Sequence, residues 1–505
     1  MFELSIQKAF RRHDRKMEEI SEDENGKLFG GFSNFPKSVA AENAPPMEPF
    51  ERSDYPIFKT SRFNSFIPFE EKILGYNSYT KRFLVMDPVL LDLLNAAVLE
   101  EDLEGLYDLH PTFFAELVKH DFIIKKEVDE LQKVIDLRES VDFDDTSYHM
   151  TINPTMNCNF KCWYCYESHI KGSKMDQPTM EKIRKHIDKA IEDNPNLKHF
   201  HISWFGGEPM LYYDNVVEPI VSYGMQQTKA RGIKFSSNFT TNGYLVRERM
   251  IPFFKENNIN AFQITLDGNK EKHNTVRYTA SKKGSYDKII ENIKLLVKNE
   301  IITSVRINYT KETLEKIEEL ITEFSDLTEE DRSYISFSFH NVWQDGDPNR
   351  EKLEQVVTNF RRHDFNTNSL YSTFNTVRDS CYADQKNHVT INYDGEVFKC
   401  TARDFNKDDR EGVMHDDGKI VWNEKFEQRM DSKFKNNPCF SCRIQPICNG
   451  GCSQQALEHV GEDYCVVDGD EREKDNIILS QFKQILEHQI IRRAKLVRQL
   501  NKNMY

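Results

Sequence analysis

The sequence lacks any long apolar run. Within its 505 residues no uninterrupted hydrophobic stretch approaches the roughly 20 residues that a helix needs to cross a bilayer. The first residues, MFELSIQKAFRRHDRK, alternate charged with apolar side chains and have neither the apolar stretch nor the small-residue cleavage site of a secretory signal. We therefore expect no membrane partner and a cytoplasmic location, where thiols are kept reduced.

The chain also lacks an excess of positive charge. It has 68 Lys and Arg against 82 Asp and Glu, for a formal net charge of -14 at pH 7. Because contact with phosphates needs a concentration of Lys and Arg, we expect no nucleic-acid partner. The hydrophobic share of 38% and the charged share of 30% are those of an ordinary globular protein. The length predicts at least two domains.

The N-terminal part of the sequence contains two different segments. Residues 1–60 are polar and are interrupted by paired glycines and prolines, which predicts an irregular extension. Residues 61–140 begin with two strand-like runs, 71–76 and 79–86, around a turn at Asn77. Three short helical patterns and an extended run at 122–124 follow. This order predicts a small winged-helix-like module.

Residues 148–370 alternate short β-branched or aromatic runs with longer helical patterns. Six strands are predicted, at 149–154, 199–205, 233–240, 261–266, 304–309 and 335–340. Such alternation predicts a parallel α/β sheet, with barrel-like curvature and with functional residues at the carboxyl ends of its strands. Residues 375–470 have weak periodicity and dense cysteine, as expected of a segment that folds around metal. Residues 471–505 predict one amphipathic helix.

The first cysteine group follows the first predicted strand of this region. Cys158, Cys162 and Cys165 have C-x3-C-x2-C spacing. Three thiolates on one loop can ligate three irons of a [4Fe–4S] cube and leave the fourth iron open to a cofactor. Zinc is the alternative, but a structural zinc site normally closes with four ligands, and His169 is the only local candidate for the fourth.

This loop resembles the defining loop of the radical SAM superfamily. The resemblance implies a partial (β/α)6 barrel in which the open iron binds S-adenosylmethionine. One-electron reduction then cleaves that cofactor to a 5′-deoxyadenosyl radical. It also implies that the aromatic residue Tyr164 lies against the adenine.

Three further segments are similar to cofactor-binding segments of the same superfamily. Each follows one of the predicted strands: Gly206-Gly207-Glu208-Pro209, Thr241-Asn242-Gly243, and Thr265-Leu266-Asp267-Gly268 with His273 and Arg277 beyond it. The resemblance implies that Glu208 accepts from the amino group of the methionine moiety and that Thr265 and Arg277 contact its carboxylate. Gly206, Gly207, Asn242 and Asp267 belong to the same predicted site, and Arg306 and Asn308 are weaker candidates.

The remaining seven cysteines resemble a SPASM domain, which follows the barrel in many peptide-modifying members of the superfamily. Zinc ribbons are the alternative. The resemblance implies two auxiliary [4Fe–4S] clusters, hence three clusters in all. Cys439, Cys442, Cys448 and Cys465 are assigned to the outer cluster, and Cys381, Cys400 and Cys452 to the inner one.

The inner set is one ligand short. Some members of the superfamily have an eighth cysteine between the first two of the set, and this chain has none there. Asp384, His388 or another residue could complete the site. An open iron would favour binding of a substrate thiolate, whereas a closed cluster would only pass electrons, and the spacing does not decide between them.

Together these patterns predict a radical SAM maturase of ribosomally synthesised peptides. The module at 61–140 resembles the leader-recognition module of such maturases, which can capture an extended peptide by strand addition. The predicted partners are a precursor peptide and an electron donor such as flavodoxin or ferredoxin. A sulfatase-maturing radical SAM enzyme is a second hypothesis. A non-catalytic iron–sulfur electron carrier is a third, and it explains neither the three-cysteine loop nor the GGEP segment.

Overall fold

The computed structural model describes residues 57–279, 281–346, 349–367 and 376–502. It divides into two compact units, Met1–Val128 and Asp129–Tyr505. Nearly all of the predicted extension at 1–60 lies outside the described residues.

From residue 57 on, where the structure describes it, the first unit contains five strands and three helices. They are β1 (Phe58–Thr60), β2 (Asn64–Phe69), β3 (Lys72–Asn77), β4 (Arg82–Met86), α1 (Pro88–Leu99), α2 (Leu103–Leu109), α3 (Pro111–Lys119) and β5 (Ile123–Lys125). β2, β3 and β4 form an antiparallel sheet in that order, and β1 pairs with β5. The sequence predicted β3, β4, the three helices and the extended run at 122–124 that corresponds to β5. It did not predict β1, which has three residues, or β2, which contains Pro68.

The turn between β3 and β4 is organised by one amide side chain. Asn77 is buried, and its Nδ2 donates to Ser61 Oγ at 3.0 Å and to the Asp121 carbonyl at 2.9 Å. Its Oδ1 accepts the backbone N–H groups of Tyr79 and Thr80, each at 3.1 Å. A buried amide must be paired to avoid a desolvation cost, and here the pairing fixes the hairpin onto the rest of the unit.

The second unit is built on one open sheet of eleven strands. These are β6 (Ser147–Ile152), β7 (His199–Trp204), β8 (Lys234–Thr241), β9 (Ile259–Leu266), β10 (Ile302–Tyr309), β11 (Ile335–Asn341), β12 (Asn366–Thr367), β13 (His388–Ile391), β14 (Glu396–Phe398), β15 (Gly412–Met414) and β16 (Ile420–Trp422). Their order is β12-β11-β10-β9-β8-β7-β6-β13-β14-β15-β16. All pairings from β12 to β13 are parallel, and β13 to β16 are antiparallel. The predicted α/β fold with six parallel strands, β6 to β11, is confirmed.

The second unit also contains helices, several of which bury their apolar residues in one core with the strands of the sheet. They are α4 (Glu130–Asp142), α5 (Gln177–Glu192), α6 (Glu218–Ala230), α7 (Ile251–Glu256), α8 (Lys270–Val276), α9 (Tyr286–Val297), α10 (Lys311–Leu314), α11 (Glu319–Glu323), α12 (Glu329–Ser333), α13 (Arg350–Arg362), α14 (Glu424–Met430), α15 (Asn437–Phe440), α16 (Gln445–Cys448), α17 (Ser453–Glu458) and α18 (Glu471–Lys502). Among the described helices, none is long and apolar enough to cross a membrane.

The two faces of the parallel sheet differ in polarity. In β8, Phe235 and Phe239 are buried in the apolar core, while Ser236, Asn238 and Thr240 alternate with them and stay partly exposed. Parallel strands covered on both faces are normally apolar throughout. The face opposite the core is therefore available for polar ligands.

The cysteine-rich segment is continuous with the parallel sheet. β13 pairs with β6, aligning His388 with His149 and Ile391 with Ile152. The helix α4 also belongs to the second unit, since Lys386 N–H donates to the Asp142 carbonyl at 2.7 Å. The predicted module boundary at residue 140 therefore falls inside a helix of the second unit.

We expect Phe122→Ala to destabilise the first unit by about 3–5 kcal/mol, because Phe122 is fully buried and its removal leaves a cavity. Val89 is 68% exposed, so Val89→Ala is the matched control with little expected effect. Urea titration with pulse proteolysis, reading which segment is cut, measures both. Equal midpoints for the two variants would contradict this packing.

Candidate active site

The three-cysteine loop follows β6 directly. Cys158 and Cys162 are half-buried and Cys165 is exposed. Burial raises the pKa of the Cys158 thiol, and the nearby Glu208, Cys162 and Cys165 raise it further. Burial likewise raises the pKa of Cys165 to about 11. The three thiols are therefore close enough to interact, and their thiolate forms need a bound cation.

Two donors are directed at the first thiol. The Phe160 N–H donates to Cys158 Sγ at 3.4 Å, and Asn242 Nδ2 lies 3.9 Å from the same sulfur. Cys162 and Cys165 are joined by a tight turn, in which the Cys165 N–H donates to the Cys162 carbonyl at 3.2 Å. These contacts suit sulfur ligands that carry negative charge.

The zinc alternative is tested by the arrangement of possible ligands. Over the described ranges, no three His, Cys, Asp or Glu side chains are arranged to hold a single metal ion. His169 Nε2 lies 3.6 Å from Cys165 Sγ on the exposed surface of the loop. A four-iron cube differs from a zinc site because each thiolate binds its own iron, so the thiolates stay farther apart than around one ion.

The two glycines of the GGEP segment lie against the cysteine loop. Gly206 and Gly207 have φ of 78° and 48°. A Cβ on Gly206 would lie 2.6 Å from Asn153 Cβ, and one on Gly207 would lie 2.3 Å from the Asn157 carbonyl oxygen. The Glu208 N–H donates to that same oxygen at 2.9 Å. Glycine is therefore required here because two backbones meet.

The carboxylate of Glu208 joins the ends of β7 and β8. It is fully buried and accepts from Met210 N–H at 3.0 Å, Thr241 Oγ1 at 2.7 Å and Asn242 N–H at 2.8 Å. Burial raises its pKa, and these donors oppose that rise. Three protein donors already use most of its acceptor capacity, so its first role is to hold the site together; contact with a cofactor amine stays a prediction.

Asn242 extends this connection to the loop. Its Nδ2 donates to Asn159 Oδ1 at 2.8 Å, and its Oδ1 accepts the Tyr244 N–H at 3.0 Å. The following residue, Gly243, has φ of 74°, and a Cβ there would approach Ile264 Cγ2 at 2.8 Å. The sequence placed Asn242 at the site, but the partner Asn159 was not foreseen.

Tyr164, Asp267 and Arg277 form a buried cluster. Tyr164 Oη donates to Asp267 Oδ1 at 2.5 Å, and Arg277 Nη2 donates to Tyr164 Oη at 2.8 Å. Arg277 Nε also forms an ion pair with Asp267 Oδ2. Arg277 thus has partners within the chain, as does the Tyr164 hydroxyl. Thr265 is buried near the end of β9, two residues before Asp267. Contact of these residues with a cofactor stays a prediction.

Glu167 was missed by the sequence analysis. Its Oε2 accepts the Gly207 N–H at 3.1 Å, and its Oε1 is buried without a hydrogen-bond partner. Burial, with the charges of Asp404 and Glu208, raises the pKa of Glu167 to about 7. Its position two residues after Cys165 is the signal that could have identified it.

Two histidines on neighbouring strands, His149 and His201, were also missed, and they lie beside His388, which the sequence analysis named only as a candidate cluster ligand. The ring of His149 lies 4.9 Å from that of His201 and 4.8 Å from that of His388. His149 Nε2 contacts Ser203 Oγ at 2.8 Å, and burial lowers the pKa of His149 to about 3. His149 and His201 lie on the polar face of the sheet and are neutral there.

The assignment of the other seven cysteines to two sets stays a prediction. For the inner set, burial raises the pKa of Cys381 to about 12, and Cys400 and Cys452 are among the thiols that raise it further. For the outer set, burial raises the pKa of Cys439 to about 11 and that of Cys448 to about 12, and Cys442 and Cys465 raise both pKa values further. The cysteines assigned to each set therefore lie near one another.

The comparisons with known proteins agree with this geometry. The sequence model of the Radical SAM superfamily matches residues 152–324. The match begins at the end of β6 and includes the cysteine loop and the segments that follow β7, β8 and β9. Residues 152–324 therefore form a radical SAM domain, and this family uses a [4Fe–4S] cluster and S-adenosylmethionine.

Relatives extend the likeness beyond that domain. The cysteine-type anaerobic sulfatase-maturating enzyme of Clostridium novyi is 24% identical over 68% of this chain and 96% of its own length. The radical SAM cyclopropyl synthase TigE of Paramaledivibacter caminithermalis is 22% identical over 58% of this chain and 65% of its own. The solved structure of anSMEcpe with bound AdoMet has a TM-score of 0.51 and 19% identity, covering 68% of this chain and 98% of that one. The structural likeness supports the fold.

We expect Gly207→Ala to displace the cysteine loop, because the new methyl group would overlap the Asn157 carbonyl. Gly232 also has positive φ, 70°, but a Cβ there meets nothing within 4 Å. Gly232→Ala is therefore the control for backbone strain alone. Iron content and 5′-deoxyadenosine formation should fall in Gly207→Ala and be kept in Gly232→Ala. Retention of both in Gly207→Ala would contradict the contact.

We expect Asp267→Asn to lower the free energy of unfolding of the second unit by about 3–5 kcal/mol, because it leaves Arg277 buried without its countercharge. Asp214 pairs with Arg249 on the surface, both more than half exposed. Asp214→Asn should therefore cost less than about 1 kcal/mol. Urea unfolding compares the two. A similar small effect for both would show that the buried pair is not needed.

Proposed function

We propose that this protein is a radical SAM maturase that closes a thioether or carbon–carbon crosslink in a ribosomally made precursor peptide. The observation that carries the proposal is the combination of a radical SAM domain, two further cysteine sets in the same unit, and a separate N-terminal unit. The bound cluster and S-adenosylmethionine would supply a 5′-deoxyadenosyl radical, which abstracts a hydrogen atom from the peptide.

The residues of this chain have distinct tasks in that reaction. Cys158, Cys162 and Cys165 hold the first cluster, and the contact between Gly207 and Asn157 fixes the loop that carries them. Further residues beside the loop bind and orient the cofactor: Tyr164, Gly206, Glu208, Asn242, Thr265, Asp267 and Arg277. The polar face of the sheet receives the peptide.

The C-terminal cysteines hold two auxiliary [4Fe–4S] clusters in this proposal. Closing a crosslink removes two hydrogens from the peptide. One leaves as a hydrogen atom, and the other leaves as a proton while an electron remains to be taken up. A cluster held by the inner set of Cys381, Cys400 and Cys452 would take up that electron within the unit. A flavodoxin or ferredoxin would supply the electron that starts the reaction.

The N-terminal unit binds the leader part of the precursor. In its three-stranded sheet, β2 and β4 each pair only with β3 among the described strands. Pro68 in β2 lacks a backbone N–H, so β4 (Arg82–Met86) is the better edge for an added peptide strand. The leader would be fixed there while the core peptide enters the radical SAM domain.

Sulfatase maturation is the second candidate function. It is favoured by the match to the Clostridium novyi enzyme, which spans nearly all of that protein. The same match leaves about a third of this chain unaccounted for, and the first unit is a fold of its own outside the radical SAM domain. A leader-binding role gives that unit a purpose, whereas sulfatase maturation does not require it.

The two candidates are separated by their substrates. We expect reduced, reconstituted full-length protein with S-adenosylmethionine to form 5′-deoxyadenosine and to remove two hydrogens from a precursor peptide encoded beside its gene. A cysteine-containing sulfatase peptide serves as the matched competitor and should remain unchanged. Mass spectrometry reads both peptides. Conversion of the cysteine of the sulfatase peptide to an aldehyde would instead establish the second candidate.

Binding of the precursor is tested at the edge strand. We expect the backbone amides of β4 to become protected from hydrogen exchange when the peptide is added, because an added strand pairs with the edge of the sheet. The amides of α3 (Pro111–Lys119), which are already bonded within their helix, serve as the internal control. Protection that is absent from β4 and β2 would exclude strand addition.

A further inference from the structure

We infer that Asp384 supplies the fourth protein ligand of the inner auxiliary cluster. This inference rests on the proposed function, because it assumes that Cys381, Cys400 and Cys452 hold a [4Fe–4S] cube. A cube has four irons, and three thiolates leave one iron without a protein ligand. The question is which side chain the fold presents to that iron.

Asp384 occupies the position that a second ligand takes in the other cysteine turns. Its N–H donates to the Cys381 carbonyl at 2.9 Å, which closes a four-residue turn from Cys381 to Asp384. The same backbone hydrogen bond closes both C-x-x-C turns of the chain, at 3.2 Å from Cys165 to Cys162 and at 3.2 Å from Cys442 to Cys439. Cys381-x-x-Asp384 is thus a C-x-x-D turn with the backbone geometry of a ligand pair.

The carboxylate of Asp384 has unused acceptor capacity inside the protein. Asp384 is 4% exposed, and neither of its carboxylate oxygens accepts a hydrogen bond of good geometry in the described structure. A buried carboxylate without such bonds is costly unless it is paired or binds metal. Its one ion pair is with Lys433 Nζ, 2.9 Å from Oδ2, which leaves Oδ1 without a partner.

Lys433 holds the carboxylate beside the rest of the set. Its Nζ also donates to the Gly451 carbonyl at 2.5 Å, one residue before Cys452. The lysine therefore connects the Cys381 turn to the segment that carries the third thiol of the set. One carboxylate oxygen can remain with Lys433 while the other binds iron.

Asp384 is tied to two segments of the inner set. It ends the one-turn helix Tyr382–Asp384, which begins directly after Cys381, and its partner Lys433 also bonds the residue before Cys452. The other candidate, His388, lies on β13, where its Nε2 contacts Thr151 Oγ1 at 3.2 Å and its Nδ1 is buried without a hydrogen-bond partner among the described residues. Asp384 is favoured over His388 because it shares a turn with Cys381 and is joined through Lys433 to the segment of Cys452.

A fourth ligand changes what the inner cluster can do. With every iron bound by protein, the cluster takes up or passes electrons and does not bind a substrate thiolate. Crosslinking then proceeds without sulfur activation at this cluster, and the polar face of the sheet alone positions the peptide.

Electron paramagnetic resonance of the reduced full-length protein, saturated with S-adenosylmethionine to occupy the first cluster, tests the inference. The probe is 2-mercaptoethanol, which binds only to an accessible open iron. Wild type should show no thiol-dependent change in the auxiliary signals, whereas Asp384→Ala should show one. Asp384→Cys should again show none, with a lower auxiliary reduction potential because a thiolate donates more electron density.

Asp188 provides the control, because it lies on α5, away from the cysteine-rich segment, and its Oδ1 is also buried without a hydrogen-bond partner among the described residues. Asp188→Ala should behave as wild type towards the probe. A thiol response in wild type, or none in Asp384→Ala, would overturn the assignment. If Asp384→Ala does not fold, an unshifted potential in Asp384→Cys would overturn it instead. Three cubes contain about twelve irons, so a content near four or near eight irons per wild-type chain would contradict the auxiliary clusters themselves.

Discussion

The site depends on one close contact between two backbones. The carbonyl of Asn157, in the cysteine loop, lies against Gly207 and accepts the Glu208 N–H. No side chain larger than hydrogen fits between them. Because Glu208 in turn binds the Thr241 and Asn242 segment, the loop, the end of β7 and the end of β8 form one rigid assembly. The sheet would therefore fix the position of a cluster held by this loop.

The parallel sheet explains why distant residues meet there. The carboxyl ends of β6, β7, β8 and β9 lie at one edge, which brings the cysteine loop, GGEP, TNG and TLDG segments together. The helices bury the apolar face, and the opposite face carries the polar residues. The same sheet continues through β13 into the cysteine-rich segment, so the inner cysteine set is built onto the scaffold that carries the first loop.

The sequence was sufficient for the features that depend on local pattern. Strand–helix alternation predicted β6 to β11, and cysteine spacing identified the loop that directly follows β6. The assignment of the other seven cysteines to two sets stays a prediction. The sequence was not sufficient for features that depend on contact between distant segments. The pairing of Asn242 with Asn159 joins residues 83 positions apart, and the Gly207 bond to Glu167 joins residues 40 positions apart. The ion pair of Asp267 with Arg277 selects one partner among many charged residues. β2 was missed because Pro68 interrupts its pattern, which an edge strand tolerates.

The central claim is that Cys158, Cys162 and Cys165 hold a cluster that cleaves S-adenosylmethionine. The most direct measurement is 5′-deoxyadenosine formed by dithionite-reduced wild type, by Cys162→Ala and by Lys161→Ala, the last being an exposed neighbour on the same loop. The account predicts product from wild type and Lys161→Ala and none from Cys162→Ala. Product from Cys162→Ala at the wild-type rate would contradict it.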